Sequence, residues 1–310
     1  DFSHIQALVR HIFGEQYELG MDYLQLLYLQ PVQKLPILLL VSEERNTGKS
    51  TFLNFLKAVF RNNVTFNTNE DSRSQFNADW AGKLVIVVDE VLLNRREDSE
   101  RLKNLSTTLS YKVEAKGKDR DEIAFFAKFV LCSNNESLPV IIDPGETRYW
   151  VRKIHRLESD DTNFLQKLTT EIPAFLYFLQ HRELTTRQES RMWFSPKLTE
   201  TPALLRIIKC NRGRYEVEAM ELIREIMDNM GIESFSFCLN DLLNLLNLSG
   251  VKIEKHQLRR IVTESWKLTP APNGLTYTSY QFEYNKERRF APIRRVGRYY
   301  TISRSLLDEL

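Results

Sequence analysis

Residues 35–60 read LPILLLVSEERNTGKSTFLNFLKAVF. A continuous apolar run of strand length, Ile37 to Val41, leads into a polar loop ending Gly48-Lys49-Ser50-Thr51. Beyond the loop, Phe52, Phe55, Leu56 and Val59 recur on one helical face. Strand, loop, helix is the context a phosphate-binding loop requires. Backbone N–H groups of such a loop cradle phosphates, and the helix N-terminus adds positive potential. Arg45, Asn46, Thr47, Gly48, Lys49, Ser50 and Thr51 are the nucleotide-binding candidates, with Lys49 reaching the β- and γ-phosphates and Ser50 ligating Mg²⁺.

The full pattern G-x-x-x-x-G-K-[ST] has its first glycine where this chain has Glu43. Glycine is favoured where φ is positive or a ligand comes close. A positive φ at Glu43 would cost about 1–2 kcal/mol, and its carboxylate must point away from a triphosphate.

Other motifs fall in register with this loop. Val85-Ile86-Val87-Val88-Asp89-Glu90 is an apolar strand ending in two carboxylates, forty residues after Lys49. Strand alternation gives the two acids different jobs. Asp89 is expected to hold Mg²⁺ and Glu90 to orient and deprotonate the attacking water. Phe129–Asn135 (FVLCSNN) is a further buried strand, and Asn134 at its end can hydrogen-bond both phosphate and water. Arg148, fourteen residues past Asn134, could stabilise transition-state charge from the same or a neighbouring subunit, with Arg152 in reserve.

Strands alternating with helices predict an α/β fold with a mostly parallel sheet. The reading divides the chain into a helical segment (1–35), a core (36–181), a linker (182–214) and a second domain (215–310). Residues 157–181 look helical, interrupted at Pro173. From Tyr215 onwards, two short helices around a Ser-Gly turn and a hairpin-like tail read as a winged helix. Its recognition helix, Glu254–Trp266, presents Lys255, Arg259 and Arg260. The tail from Gln281 to Arg304 carries seven Lys/Arg against two Glu, interleaved with aromatics, which suits phosphate contact and stacking.

Composition narrows the class. The chain has 310 residues, 42% hydrophobic, with a formal net charge of +2, so it is no polycation. Cys132, Cys210 and Cys238 form no disulfide framework or metal spacing, which fits a reducing compartment. The run Ile37–Val41 is too short to span a membrane, and no signal peptide is visible. The first residue is Asp1, so a fragment of a longer chain is expected.

Taken together, NTGKST, VIVVDE, VEAKGKDRDEI, FVLCSNN and GETRYWVRK resemble the motif series of superfamily 3 helicases, closest to the primase-linked helicases of phages, plasmids and integrated elements. The match covers roughly residues 1–180. The resemblance implies a P-loop NTPase core of the AAA+-like, ASCE kind, using ATP and Mg²⁺. It also implies a hexameric ring translocating on single-stranded DNA, with a primase domain or partner upstream, in a bacterial host cytoplasm. Lys49 and Ser50 then match the Walker A motif, Asp89 and Glu90 the Walker B motif, Asn134 the polar sensor, and Arg148 the approximate place of a trans-acting arginine finger. The family's DNA-contacting loop corresponds to Val113–Arg120, with Lys116 and Lys118 as the gripping residues. The rival expectations are a loader or remodelling ATPase acting on protein, and a DNA-binding initiator with little turnover.

Overall fold

The structure, a computed structural model, describes residues 1–68, 82–93, 95–113, 121–143, 145–157, 161–283 and 289–310. The chain divides into two compact units, Asp1–Cys210 and Asn211–Leu310.

The first unit is built on a sheet of five strands: β1 (Ile37–Val41), β2 (Val64–Asn67), β3 (Val85–Val88), β6 (Lys128–Ser133) and β7 (Tyr149–Lys153). A separate antiparallel pair is formed by β4 (Ser110–Val113) and β5 (Asp121–Ala124). The five strands run parallel in the order β2-β3-β6-β1-β7. Parallel sheets need both faces covered, which is why β1, β3 and β6 are apolar almost throughout.

Alternation along the strands divides the core in two. Leu38, Leu40, Val85, Val87, Val130, Cys132 and Trp150 face one side. That side is covered by α1 (Ser3–Phe13), α2 (Tyr17–Leu29), α3 (Lys49–Phe60) and α5 (Phe164–His181). Ile37, Leu39, Val41, Ile86, Val88, Leu131 and Val151 face the other, against Leu102 and Leu105 of α4 (Arg96–Thr107). Leu204 and Ile207 join that side from α7 (Pro202–Met230), which follows the single-turn α6 (Pro196–Thr199).

Three features differ from the expectations. Residues 149–153, read only as an arginine-bearing motif, form β7 and pair with β1 from Ile37↔Tyr149 to Val41↔Lys153. Pro173 does not interrupt α5, which runs unbroken from Phe164 to His181. Leu168, Phe175 and Leu179 are buried on that helix, and this burial offsets the roughly 3 kcal/mol that an internal proline costs. Residues 182–194, expected in a linker, are built into the first unit. The carboxylate of Asp22, 0% exposed, accepts bonds from the N–H and hydroxyl groups of both Thr185 and Thr186 and pairs with Arg182.

In the second unit, β8 (Ser234–Phe237) pairs antiparallel with β11 (Tyr300–Ser303). The hairpin strands β9 (Leu275–Phe282) and β10 (Phe290–Gly297) pair from Leu275↔Gly297 to Phe282↔Phe290. Helix α8 (Leu239–Leu248) leads through Ser249 and Gly250 (φ 92°) to α9 (Lys255–Arg260), and α10 (Arg304–Glu309) ends the chain. The expected helix 254–266 is α-helical only over Lys255–Arg260. It widens into a π turn over Ile261–Ser265, where Ile261 and Val262 are buried just before the buried Trp266. No helix among the described residues is long and apolar enough to cross a membrane.

Candidate functional site

The carboxyl edge of a parallel sheet is where loops leave the strands and ligands find room. The loop after β1 opens there and enters α3 at Lys49. Its backbone takes positive φ at Asn46 (54°) and Gly48 (77°), not at Glu43. The strain considered for Glu43 is therefore absent, and the residue needing glycine is Gly48, where an added Cβ would meet Leu157 Cδ1 at 3.3 Å. The Glu43 N–H donates to Glu136 Oε1 (3.2 Å), and its carboxylate turns to Arg206 at 3.6 Å.

A cleft of about 530 Å³ lies over this loop. It is lined by residues 44–51 together with Glu90, Asn134, Arg156 and Leu157. All seven loop candidates, Arg45 to Thr51, therefore meet one space. Strand order explains how the distant residues join them. Strand β6 lies between β1 and β3, so Asn134 at its end sits between the loop and the acidic turn after β3. The Lys49 ammonium donates to Asn134 Oδ1 (3.1 Å) and to the Ser42 carbonyl (3.4 Å). Burial lowers the Lys49 pKa, while the nearby Cys132, Asp89 and Glu136 act in the opposite sense. Cys132 is fully buried, and burial together with Asp89 pushes its thiol far up, so it stays neutral.

Ser50 Oγ donates to Asp89 Oδ2 at 3.5 Å, and both residues are exposed. Two neighbouring oxygens open to solvent fit Mg²⁺, which keeps several waters and takes its remaining ligands from phosphates. Glu90 lines the cleft, but strand alternation does not direct it there. Strand β3 ends at Val88, and Glu90 itself is left-handed (φ 54°), its N–H donating to Asp89 Oδ1 (3.0 Å). Positive φ at a glutamate is strained backbone of the kind found at functional sites.

The two arginine candidates are not in the cleft. Arg148 precedes β7 at the opposite, amino edge, where its carbonyl accepts from the Ile37 N–H and its guanidinium pairs with Glu146 at 2.9 Å. Arg152 is buried and holds Glu15 at 2.7 Å. Lys116 and Lys118 lie outside the described residues; the strands flanking them, β4 and β5, form an antiparallel pair. In the second unit, Lys255 and Arg259 are exposed on α9, while Arg260, also exposed, pairs with Glu264 at 3.3 Å.

Three residues at the site escaped the sequence reading. His11 of α1 contacts the Thr47 carbonyl through Nε2 at 3.0 Å. Glu136, 3% exposed, is a hub that takes Lys153 (3.0 Å), Arg206 (2.9 Å) and the Glu43 N–H. Burial raises its pKa, but the bonds from Lys153 and Glu43 and the charges of Lys153 and Arg206 outweigh this, leaving it below the usual carboxylate range. Arg156 is the third. The signal for it was an arginine shortly after the last core motif; nothing in the spacing marked the chain there as returning to the loop.

Residues 40–152 match a family described as a family of unknown function (DUF5906). This stretch contains every residue lining the cleft except Arg156 and Leu157. No curated protein matches the chain. Solved structures of the NrS-1 C-terminal region are similar in fold. An apo structure of its residues 305–718 is 17% identical, with a TM-score of 0.59, covering 96% of this chain and 75% of that one. An A-form apo structure is 18% identical, with a TM-score of 0.56, covering 86% and 63%. A second A-form apo structure is 18% identical, with a TM-score of 0.58, covering 95% and 75%. At these identities the likeness is one of fold.

Proposed function

We propose that the chain is a P-loop ATPase of the superfamily 3 helicase type, with a winged-helix second unit, that couples ATP hydrolysis to movement on single-stranded DNA. One observation carries the reading. A lysine at a helix N-terminus, an asparagine on the adjacent strand, and a Ser–Asp pair with a neighbouring strained glutamate converge on one cleft from three separate strand ends. A fold has no structural need for that convergence, whereas phosphoryl transfer needs each part.

In this reading Lys49 and the N–H groups of the loop hold the phosphates. Ser50 and Asp89 would hold Mg²⁺, which would neutralise phosphate charge. Glu90 takes the proton of the attacking water, and Asn134 orients that water against the terminal phosphate. Lys49 exchanges its Asn134 partner for a phosphate oxygen when nucleotide binds. Arg148, remote from its own cleft, serves the cleft of a neighbouring subunit in a ring. The loop bearing Lys116 and Lys118 grips DNA phosphates without reading bases. The exposed Lys255 and Arg259 give the second unit a backbone contact of its own.

ATP hydrolysis with and without single-stranded DNA, beside Lys49→Ala, is the test. DNA-stimulated turnover lost in the variant is the expected result. Turnover indifferent to DNA would favour a remodelling ATPase acting on protein. Nucleotide binding with negligible turnover would favour an initiator.

A further inference from the structure

The chain beyond β7 stays at the cleft. The Ile154 N–H donates to the Val41 carbonyl (2.9 Å), the Arg156 N–H to Glu44 Oε2 (3.1 Å), and the Leu157 N–H to the Asn46 carbonyl (2.9 Å). Residues 154–157 are thus stitched along residues 41–46, and Leu157 packs over Gly48. This fixes the backbone of Arg156 beside the loop.

The Arg156 side chain lines the cleft and is exposed. Among the described residues it has no hydrogen-bond or ion-pair partner. Its neighbours in the fold differ: Arg148 holds Glu146, Arg152 holds Glu15, Arg182 holds Glu18 and Asp22, and Arg206 holds Glu136. The nearby carboxylate of Glu44 is engaged by the backbone N–H of Arg156. A guanidinium presents five donors in a planar fork that suits phosphate oxygens. The Arg156 backbone is fixed and its side chain faces the cleft.

We infer that Arg156 is a phosphate-binding residue supplied by the chain to its own cleft, and that it grips the terminal phosphate of a nucleoside triphosphate. The inference rests on the nucleotide reading above. In the proposed reading the loop N–H groups cradle the phosphates that ATP and ADP share, and Lys49 reaches the β- and γ-phosphates. Of the two further cations on the cleft lining, Arg45 rides on the loop itself, while Arg156 is anchored from outside the loop through Glu44 and Asn46 and matches the extra charge that distinguishes ATP. Arg156 thereby sets the preference for triphosphate over diphosphate, a role separate from that of Arg148.

Dissociation constants of a non-hydrolysable ATP analogue and of ADP, both with Mg²⁺, are measured on the full chain for wild type, Arg156→Ala, Arg156→Lys and Lys49→Ala. Arg156→Ala is expected to weaken the triphosphate about ten-fold or more and ADP by less than about three-fold, with partial recovery in Arg156→Lys. Unchanged affinity for both ligands, or an equal loss for both, overturns the inference; equal loss assigns Arg156 to loop support alone. Binding abolished by Lys49→Ala but untouched by Arg156→Ala overturns it while leaving the nucleotide site standing. A wild-type chain that binds neither ligand overturns both.

Discussion

Glu90, the proposed base of the cleft, sits on a backbone it adopts at a cost. A left-handed glutamate costs about 1–2 kcal/mol, and the turn gains from it the divergence of Glu90 from Asp89. Glu90→Gln keeps the shape and removes the base. It is expected to bind ATP as wild type does while turnover falls by about 10²–10⁴-fold, measured by single-turnover hydrolysis. Near-normal turnover would remove Glu90 from that role. His11 tests a different point. Its ring holds the Thr47 carbonyl, so His11→Ala should raise KM for ATP with little change in kcat, because it loosens binding and not the chemistry. At this scale the sequence was most legible where residue type alone implies chemistry: Lys49, Ser50, Asp89 and Asn134 are named by their motifs and do meet. His11, Glu136 and Arg156 were not legible. A histidine on an apolar helix, an acid after a strand and an arginine past a strand are all ordinary surface residues until the tertiary fold brings them to the loop.

Elements were legible where they are apolar and were misread where an ion pair hides inside. Strand β7 went unnoticed because Arg152 stands in its interior, tolerated only because Glu15 and Gln16 meet it. The start of β6 holds a similar case. Lys128 is 2% exposed, its ammonium donating to the carbonyls of Pro31 and Phe126. Lys34 lies nearby, donating to the Phe125 carbonyl at 2.6 Å. Burial lowers Lys128 to about 7, with Lys34 adding repulsion, and lowers Lys34 to about 8, from an ordinary 10.5. The unfolded chain keeps both protons to near 10.5, so between about 7 and 10.5 it binds more protons than the folded chain. Stability from this pair therefore rises with pH across that window and is flat below it. Urea midpoints from pH 6.5 to 9.5 should climb more steeply for wild type than for Lys128→Met; parallel curves would mean that the buried lysine does not titrate there. Pro173 offers a simpler check. It is exposed within a continuous helix, so Pro173→Ala should raise the denaturation midpoint, by up to about 3 kcal/mol of stability.

The parallel sheet and the change of pattern before the second unit follow from periodicity, because both rest on which residues must leave water. The strand order does not. Placing β6 between β1 and β3 is a choice among topologies that share the same apolar runs, and the cleft depends on that choice. The proposed ring rests on Arg148, which lies at the far edge of the sheet from its own loop and in that reading serves a neighbour's cleft. Lys49→Ala and Arg148→Ala are each expected to be inactive alone. Mixed in equal amounts within a head-to-tail ring, about a quarter of interfaces would pair an intact loop with an intact arginine. Recovery of ATPase on mixing is the expected outcome. Silence in the mixture would make Arg148 a structural partner of Glu146.

The bond between Lys49 and Asn134 has one more implication. A free lysine has about 2 kcal/mol of rotamer entropy to lose when it is fixed. Here the side chain is already immobilised, by an amide on one strand and a carbonyl at the base of the loop. In the proposed reading, phosphate capture at this point becomes an exchange of one acceptor for another on a stationary ammonium. The tightness of that first contact is then governed by how readily the amide lets go, and a shorter or weaker acceptor at position 134 would change the speed of loading as well as the placing of the water.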